Sequence, residues 1–263
     1  MFKKPLRKKL SSFFSALILA GTLLPASVVS YSKPVFAADV PVQTGSASLA
    51  TVSAGLVHSL ALSSDGTVWA WGDNSEGQLG NNQSELHNSS TPVHVSDLTD
   101  VIAVAAGGAH SLALKNDGTV WGWGNNEYGQ GGFGKVELKA GGPDYYMPDQ
   151  FLKSYTPVQV QGLSDVIAIA AGMDYSLALK ADGTVWAWGS NPYGQQLTNS
   201  SGGFSNIPSQ IEIDSNGHKL TDITKISAGS AFALALKKDG TVWTWGGLLV
   251  DDQGVHNLVT YAQ

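Results

Sequence analysis

The stretch Ala54-Gly55-Leu56-Val57-His58-Ser59-Leu60-Ala61-Leu62, followed by Asp65-Gly66-Thr67-Val68-Trp69-Ala70-Trp71-Gly72, decides how the chain is read, because it returns three more times in altered form. The second copy runs from Ala106-Gly107 through His110-Ser111-Leu112 to Asp117-Gly118 and Trp121-Gly122-Trp123-Gly124. The third runs from Ala171-Gly172 through Tyr175-Ser176-Leu177 to Asp182-Gly183 and Trp186-Ala187-Trp188-Gly189. The fourth runs from Ala228-Gly229 through Phe232-Ala233-Leu234 to Asp239-Gly240 and Trp243-Thr244-Trp245-Gly246. The Asp-Gly pairs lie 52, 65 and 57 residues apart, a period that marks a repeat architecture.

Each copy reads as short strands. Asp-Gly between two alternating apolar runs is a hairpin signal, since glycine accepts the positive φ such a turn requires. A period of two puts both tryptophans of a pair on one face of their strand. The residue between them is small (Ala70, Gly122, Ala187 or Thr244), so another layer can approach the second face. A sheet covered on both faces by further sheets is a β-propeller blade. The expected fold class is therefore all-β: a β-propeller of about four four-stranded antiparallel blades, with repeats at about 49–95, 101–160, 166–213 and 223–263. In the second blade, strands are expected near 101–106, 111–115, 119–123 and 157–160, the first of them innermost. Both tryptophans of each pair are expected between blades, where truncating Trp121 would cost roughly 3–5 kcal/mol.

These runs, together with Asn74-Ser75-Glu76-Gly77-Gln78-Leu79-Gly80 and its counterparts starting at Asn126 and Asn191, resemble the repeats of the regulator of chromosome condensation family. The resemblance covers nearly all of residues 40–247. It implies a β-propeller, seven-bladed in the best-known members. It also implies diverse roles, among them guanine-nucleotide exchange on a small GTPase and, in exported bacterial relatives, inhibition of a β-lactamase. No exchange residue maps onto this chain, and fold alone does not fix function.

The chain departs from the family pattern in having four repeats, the fourth without a Gly-Gln-Leu-Gly element. An open arc, a small closed ring, an assembly completed by another chain and a truncated gene all fit. Blades one and two take their fourth strand from Thr91-Pro92-Val93-His94-Val95 and Thr156-Pro157-Val158-Gln159-Val160, and blade three from about 207–213. For blade four the candidates are residues 40–43, which would close a ring, and residues 255–261, which would leave an open arc or fragment of a seven-bladed type. The open arc is expected, because it needs no change in blade-to-blade angle. It leaves an apolar face uncovered, so self-association is expected with it.

Lys3, Lys4, Arg7, Lys8 and Lys9 precede an apolar stretch from Leu10 to Leu24, and Val35-Phe36-Ala37-Ala38 offers small residues for cleavage. This is the layout of a secretory signal peptide, expected over 1–37, with the propeller domain over 38–263. The apolar core of about 15 residues is short of the roughly 20 a membrane span needs, so no membrane attachment is expected after cleavage. The expected location is secreted or cell-surface, in a bacterial producer. Residues 1–37 hold six of the 15 basic residues and none of the 21 acidic ones, leaving a net charge of −12 on the remainder. Such a domain repels phosphate backbones, so nucleic acid is not an expected partner. There is no cysteine, and a domain this large can fold on its apolar core alone.

No catalytic, cofactor or metal site is expected. His58 and His110 share a repeat position otherwise held by Tyr175 and Phe232, which cannot replace a ligand, so they read as packing residues. Counting a calcium loop from Asp73 puts Gln78 and Ser84 where glycine and glutamate are needed. Gly131-Gly132-Phe133-Gly134 has no Lys-Ser/Thr after it at phosphate-loop spacing.

The functional signal lies in the loops. An insertion at 131–155 carries Phe133, Tyr145, Tyr146, Phe151 and Tyr155, and the matching loop at 195–206 carries Phe204. Long loops on a rigid scaffold usually serve binding, and tyrosines there suit interfaces. These six are the candidate partner-binding residues; the competing reading is an insertion whose aromatics pack on their own loop. The expected function is a non-catalytic extracellular protein-interaction module with a protein partner. The alternative is a cell-wall or glycan-binding structural protein, and an enzyme or exchange factor stands below both.

Overall fold

The Asp-Gly pairs close hairpins. A computed structural model describes residues 49–84, 88–134, 137–138, 145–146, 152–192, 194, 203–213, 217–247 and 259–261, with backbone alone for 49–50, 137–138, 145–146 and 259–261. In it Gly118 takes a φ of 79°. Thr119 donates its N–H and its hydroxyl to Asp117 Oδ1, at 2.9 and 2.6 Å. The same aspartate–threonine pair recurs at Asp65, Asp182 and Asp239.

Blade one consists of β1 (Leu49–Ala54), β2 (His58–Ser63), β3 (Val68–Asp73) and β4 (Asn88–His94). Blade two has β5 (Val101–Ala106), β6 (His110–Lys115) and β7 (Val120–Asn125). After a two-stranded insert of β8 (Glu137–Leu138) and β9 (Tyr145–Tyr146), it ends in β10 (Lys153–Gln159). Blade three has β11 (Val166–Ala171), β12 (Tyr175–Lys180), β13 (Val185–Ser190) and β14 (Phe204–Gln210). Blade four has β15 (Ile223–Ala228), β16 (Phe232–Lys237), β17 (Val242–Gly246) and β18 (Val259–Tyr261). Each blade is one antiparallel sheet with its strands in chain order. The first strands adjoin one another in succession, β1 by β5, β5 by β11 and β11 by β15, which makes them the innermost, as expected.

Blade four is completed by β18, inside the local candidate 255–261, and the segment 40–43 lies outside the described residues. Among the described residues each sheet is made of one blade's strands, and the arc is open. Its end face shows this in the side chains. Phe232 and Leu234 are 46% and 38% exposed, whereas their counterparts Tyr175 and Leu177 on blade three are fully buried.

The tryptophan pairs divide in a way the repeat alone does not predict. The second member is fully buried in blades two to four: Trp123, Trp188 and Trp245. The first is half-buried and lies under a lysine instead, with Lys115 Nζ 5.6 Å from the Trp121 ring and the same pairing at Trp186 and Trp243. The small residue between them lies in the core shared with the next blade at Ala70 and Ala187, as expected, whereas at Gly122 the close neighbour is different. At Gly122 a Cβ would run into the carbonyl oxygen of Gly131 in the same blade, so what approaches there is the blade's own loop.

A hydrogen-bonded lock recurs at the first two blade junctions. Trp123 Nε1 donates to the Gln78 carbonyl of the preceding blade at 2.9 Å, and Ser111 Oγ donates to the same oxygen at 2.9 Å. The Ser111 proton is thereby committed, so His58 Nε2, 2.8 Å from Ser111 Oγ, must be the donor in that contact. The next junction repeats it with Trp188, Ser176 and His110 around the Gln130 carbonyl. At the third junction the receiving residue is Ala233, which cannot accept, and Tyr175 sends its hydroxyl to the carbonyl of Phe232 at 2.5 Å instead. Space explains two of the motif glycines. At Gly80 a Cβ would sit 2.7 Å from Trp123 Nε1, and at Gly107 it would collide with the His110 ring.

Candidate functional site

Antiparallel order places the first-to-second and third-to-fourth strand connections of every blade at one end of the arc. The Asp-Gly turns lie at the other. The insertion at 131–155 and the loop before Phe204 therefore share an end with the Ala-Gly-x-x segments that join the first two strands. Those segments from all four blades line an axial cavity of about 260 Å³, walled largely by backbone of Ala106–Gly108 and its counterparts, with Leu56 and Met173 as its large side chains. Backbone bonds stitch the segments together: Leu56 N–H to Gly107 O at 3.1 Å, Gly108 N–H to Met173 O at 3.0 Å and Met173 N–H to Ser230 O at 3.0 Å.

Met173 and Ser230 also line a second cavity of about 560 Å³ on this end, with Tyr128, Asp174, Pro192 and Phe204. Tyr128 and Phe204 form one aromatic wall, edge to face with ring centroids 6.5 Å apart. Tyr128 is 39% exposed and Met173 45%, an unusual concentration of accessible apolar surface for residues so close together. Asp174 makes no side-chain hydrogen bond or ion pair among the described residues, although it is partly buried. Burial, and to a lesser degree the Glu127 carboxylate, raise its pKa above the ordinary carboxylate value. Among the described residues the lining holds no Lys, Arg or His.

The six sequence candidates separate in the structure. Phe204 lines the groove. Phe133 is withdrawn from the surface at 6% exposure, and its carbonyl accepts from Asn126 and Asn206, so it is the buried root of the insertion. Tyr155 lies toward blade one, its carbonyl accepting from Asn82 N–H and Lys153 Nζ lying 5.9 Å from its ring. Tyr145 and Tyr146 pair with Leu138 and Glu137 in the insert, which fixes their backbone only. Phe151 lies outside the described residues. Sequence reasoning passed over Tyr128, Met173 and Asp174. Asp174 carried a legible signal: its repeat counterparts are Val57, Ala109 and Ala231, so it is the one charge at a position otherwise apolar.

A family model described as the RCC1-like domain matches residues 26–255. Human probable E3 ubiquitin-protein ligase HERC6 is 37% identical over 201 residues, 74% of this chain and 18% of that protein. Regulator of chromosome condensation from Xenopus laevis is 30% identical over 204 residues, 74% of this chain and 45% of that protein. Among solved structures, Prp20p of Saccharomyces cerevisiae superposes with a TM-score of 0.63 at 27% identity, covering 81% of this chain and 50% of that one. Human WBSCR16 gives 0.64 at 26% identity, covering 81% and 52%. Prp20p is described as binding Gsp1p and histones. The chain thus spans about half or less of the length of each of these relatives.

Proposed function

We propose that this chain, which belongs to the RCC1-like domain family, is a non-catalytic protein-interaction module that binds its partner on the end carrying the groove and the insertion. The supporting observation is convergence: the axial cavity and the larger groove share Met173 and Ser230, and the long loops leave from the same end. The opposite end carries the short Asp-Gly turns, whose aspartates already accept from their own threonines. The relative Prp20p, described as binding proteins, supports the same class of function. The basic-then-apolar leader over 1–37 supports action outside the cytoplasm; N-terminal sequencing of protein recovered from the producer's medium tests that point.

A paired substitution tests the main reading. Tyr128→Ala with Phe204→Ala removes the aromatic wall without touching the blade core, and should lower the melting temperature by less than about 3 °C. Affinity for a captured partner should fall at least tenfold, about 1.4 kcal/mol, as for loss of interface aromatics. Unchanged affinity in the double variant would place the interaction elsewhere. One observation favours the second reading, a glycan-binding protein: an acid beside two aromatics also suits a sugar ring. Partner binding that is competed by free oligosaccharide would select it.

A further inference from the structure

We infer that the groove around Asp174 receives the cationic side chain, arginine or lysine, of a basic segment in the protein partner. The inference rests on the interaction reading above and specifies what that face recognises. A partly buried carboxylate that among the described residues has no cation and no hydrogen-bond donor, and that feels a second carboxylate, Glu127, is an electrostatic cost to the free protein. Its repeat counterparts are uncharged, so blade architecture does not require it. Residues that break a local rule without structural compensation are expected at functional sites.

The remaining lining selects among ligands. A guanidinium or ammonium entering beside Tyr128 and Phe204 gains from an aromatic face as well as from the carboxylate. The exposed Met173 supplies an adaptable apolar surface for the methylene stem of such a side chain. A neutral sugar would satisfy Asp174 with hydroxyls but leave the Asp174–Glu127 repulsion in place. The net charge of −6 on the whole chain also favours approach of a basic segment.

The test uses the full-length chain and two synthetic peptides, acetyl-Gly-Gly-Arg-Gly-Gly-amide and the same peptide with citrulline for arginine. Citrulline keeps the shape and removes the charge. Amide shifts in two-dimensional NMR should follow the arginine peptide at Tyr128, Met173, Asp174 and Phe204, with a Kd on the order of 1 mM for so small a ligand. The citrulline peptide should bind at least tenfold more weakly. Asp174→Asn should remove the difference between the peptides. It should also raise the melting temperature of the free protein by about 1–2 °C, because an uncompensated charge is gone. Equal binding of both peptides, or arginine binding that survives Asp174→Asn, would overturn the inference. If a captured partner depends on Tyr128 and Phe204 but not on Asp174, the interaction reading stands and the cationic ligand falls.

Discussion

Replacing Trp123 by alanine is expected to cost about 3–5 kcal/mol of unfolding free energy, while the same change at Trp121 costs about 1–2 kcal/mol. The two residues sit two positions apart on one strand face, yet their surroundings differ. Trp123 is fully buried in one cluster with Leu60, Leu62, Leu79 and Val95 of the preceding blade, so truncation leaves a cavity at the blade junction. Trp121 is half-buried, and Lys115 above it can collapse over the gap. The Gln78 carbonyl keeps its bond from Ser111 in the variant, so the cost of Trp123→Ala is chiefly cavity rather than a stranded acceptor. Trp71 provides the control. It occupies the same repeat position as Trp123, but it has no preceding blade in the described residues and is only partly buried, so Trp71→Ala should cost about 1–2 kcal/mol. Urea denaturation of the three variants checks the ranking. Equal losses at Trp71 and Trp123 would mean that blade one's outer face is covered after all.

What the sequence made legible is what local backbone chemistry and a short period demand. Asp-Gly had to turn, and Val-Trp-x-Trp-Gly had to be a strand with both rings on one side; the structure contains both. The blade-to-blade lock was harder to read, because its central group is a backbone carbonyl. Gln78 and Gln130 act through C=O, and nothing in their side chains announces that role. The histidines pointed to it only indirectly, as the residue that accompanies a serine in the following blade and gives way to tyrosine where that serine is alanine. The groove was illegible for a further reason. Tyr128 and Asp174 come from loops and Phe204 from the start of β14, each 30 or more residues from the next, and only blade stacking brings them to one cavity. Phe133 marks the opposite error. An aromatic in a glycine-rich loop reads as exposed, but here the loop folds back and buries the ring beside Gly131.

Acidification from pH 6.5 to 4 should destabilise the protein by on the order of 5 kcal/mol through His58 and His110. Burial lowers the pKa of His58 to about 4 and that of His110 to about 3. The hydrogen-bond geometry points the same way. Each ring donates from Nε2 to a serine hydroxyl, and each Nδ1 is buried without a hydrogen-bond partner, so a second proton would bring an unsolvated charge into the blade junction. The unfolded chain takes up protons as pH falls through about 6.5 while the folded chain does not, so unfolding free energy falls with pH by up to about 1.4 kcal/mol per unit for each histidine. The turn aspartates Asp65, Asp117, Asp182 and Asp239 have lowered pKa values from their threonine hydrogen bonds. Their stabilisation is lost only below about pH 4, outside this window. Asp174, with its raised pKa, acts in the opposite direction and offsets a small part of the loss as it protonates. His58→Gln and His110→Gln should each be less stable than the parent at pH 7, yet each should remove about half of the slope between pH 6.5 and 4. Denaturant titrations at half-unit steps measure that slope. A slope unchanged in both variants would mean that the histidines are hydrated and protonate freely in the folded chain, and that the serine–histidine lock contributes little to holding the blades together.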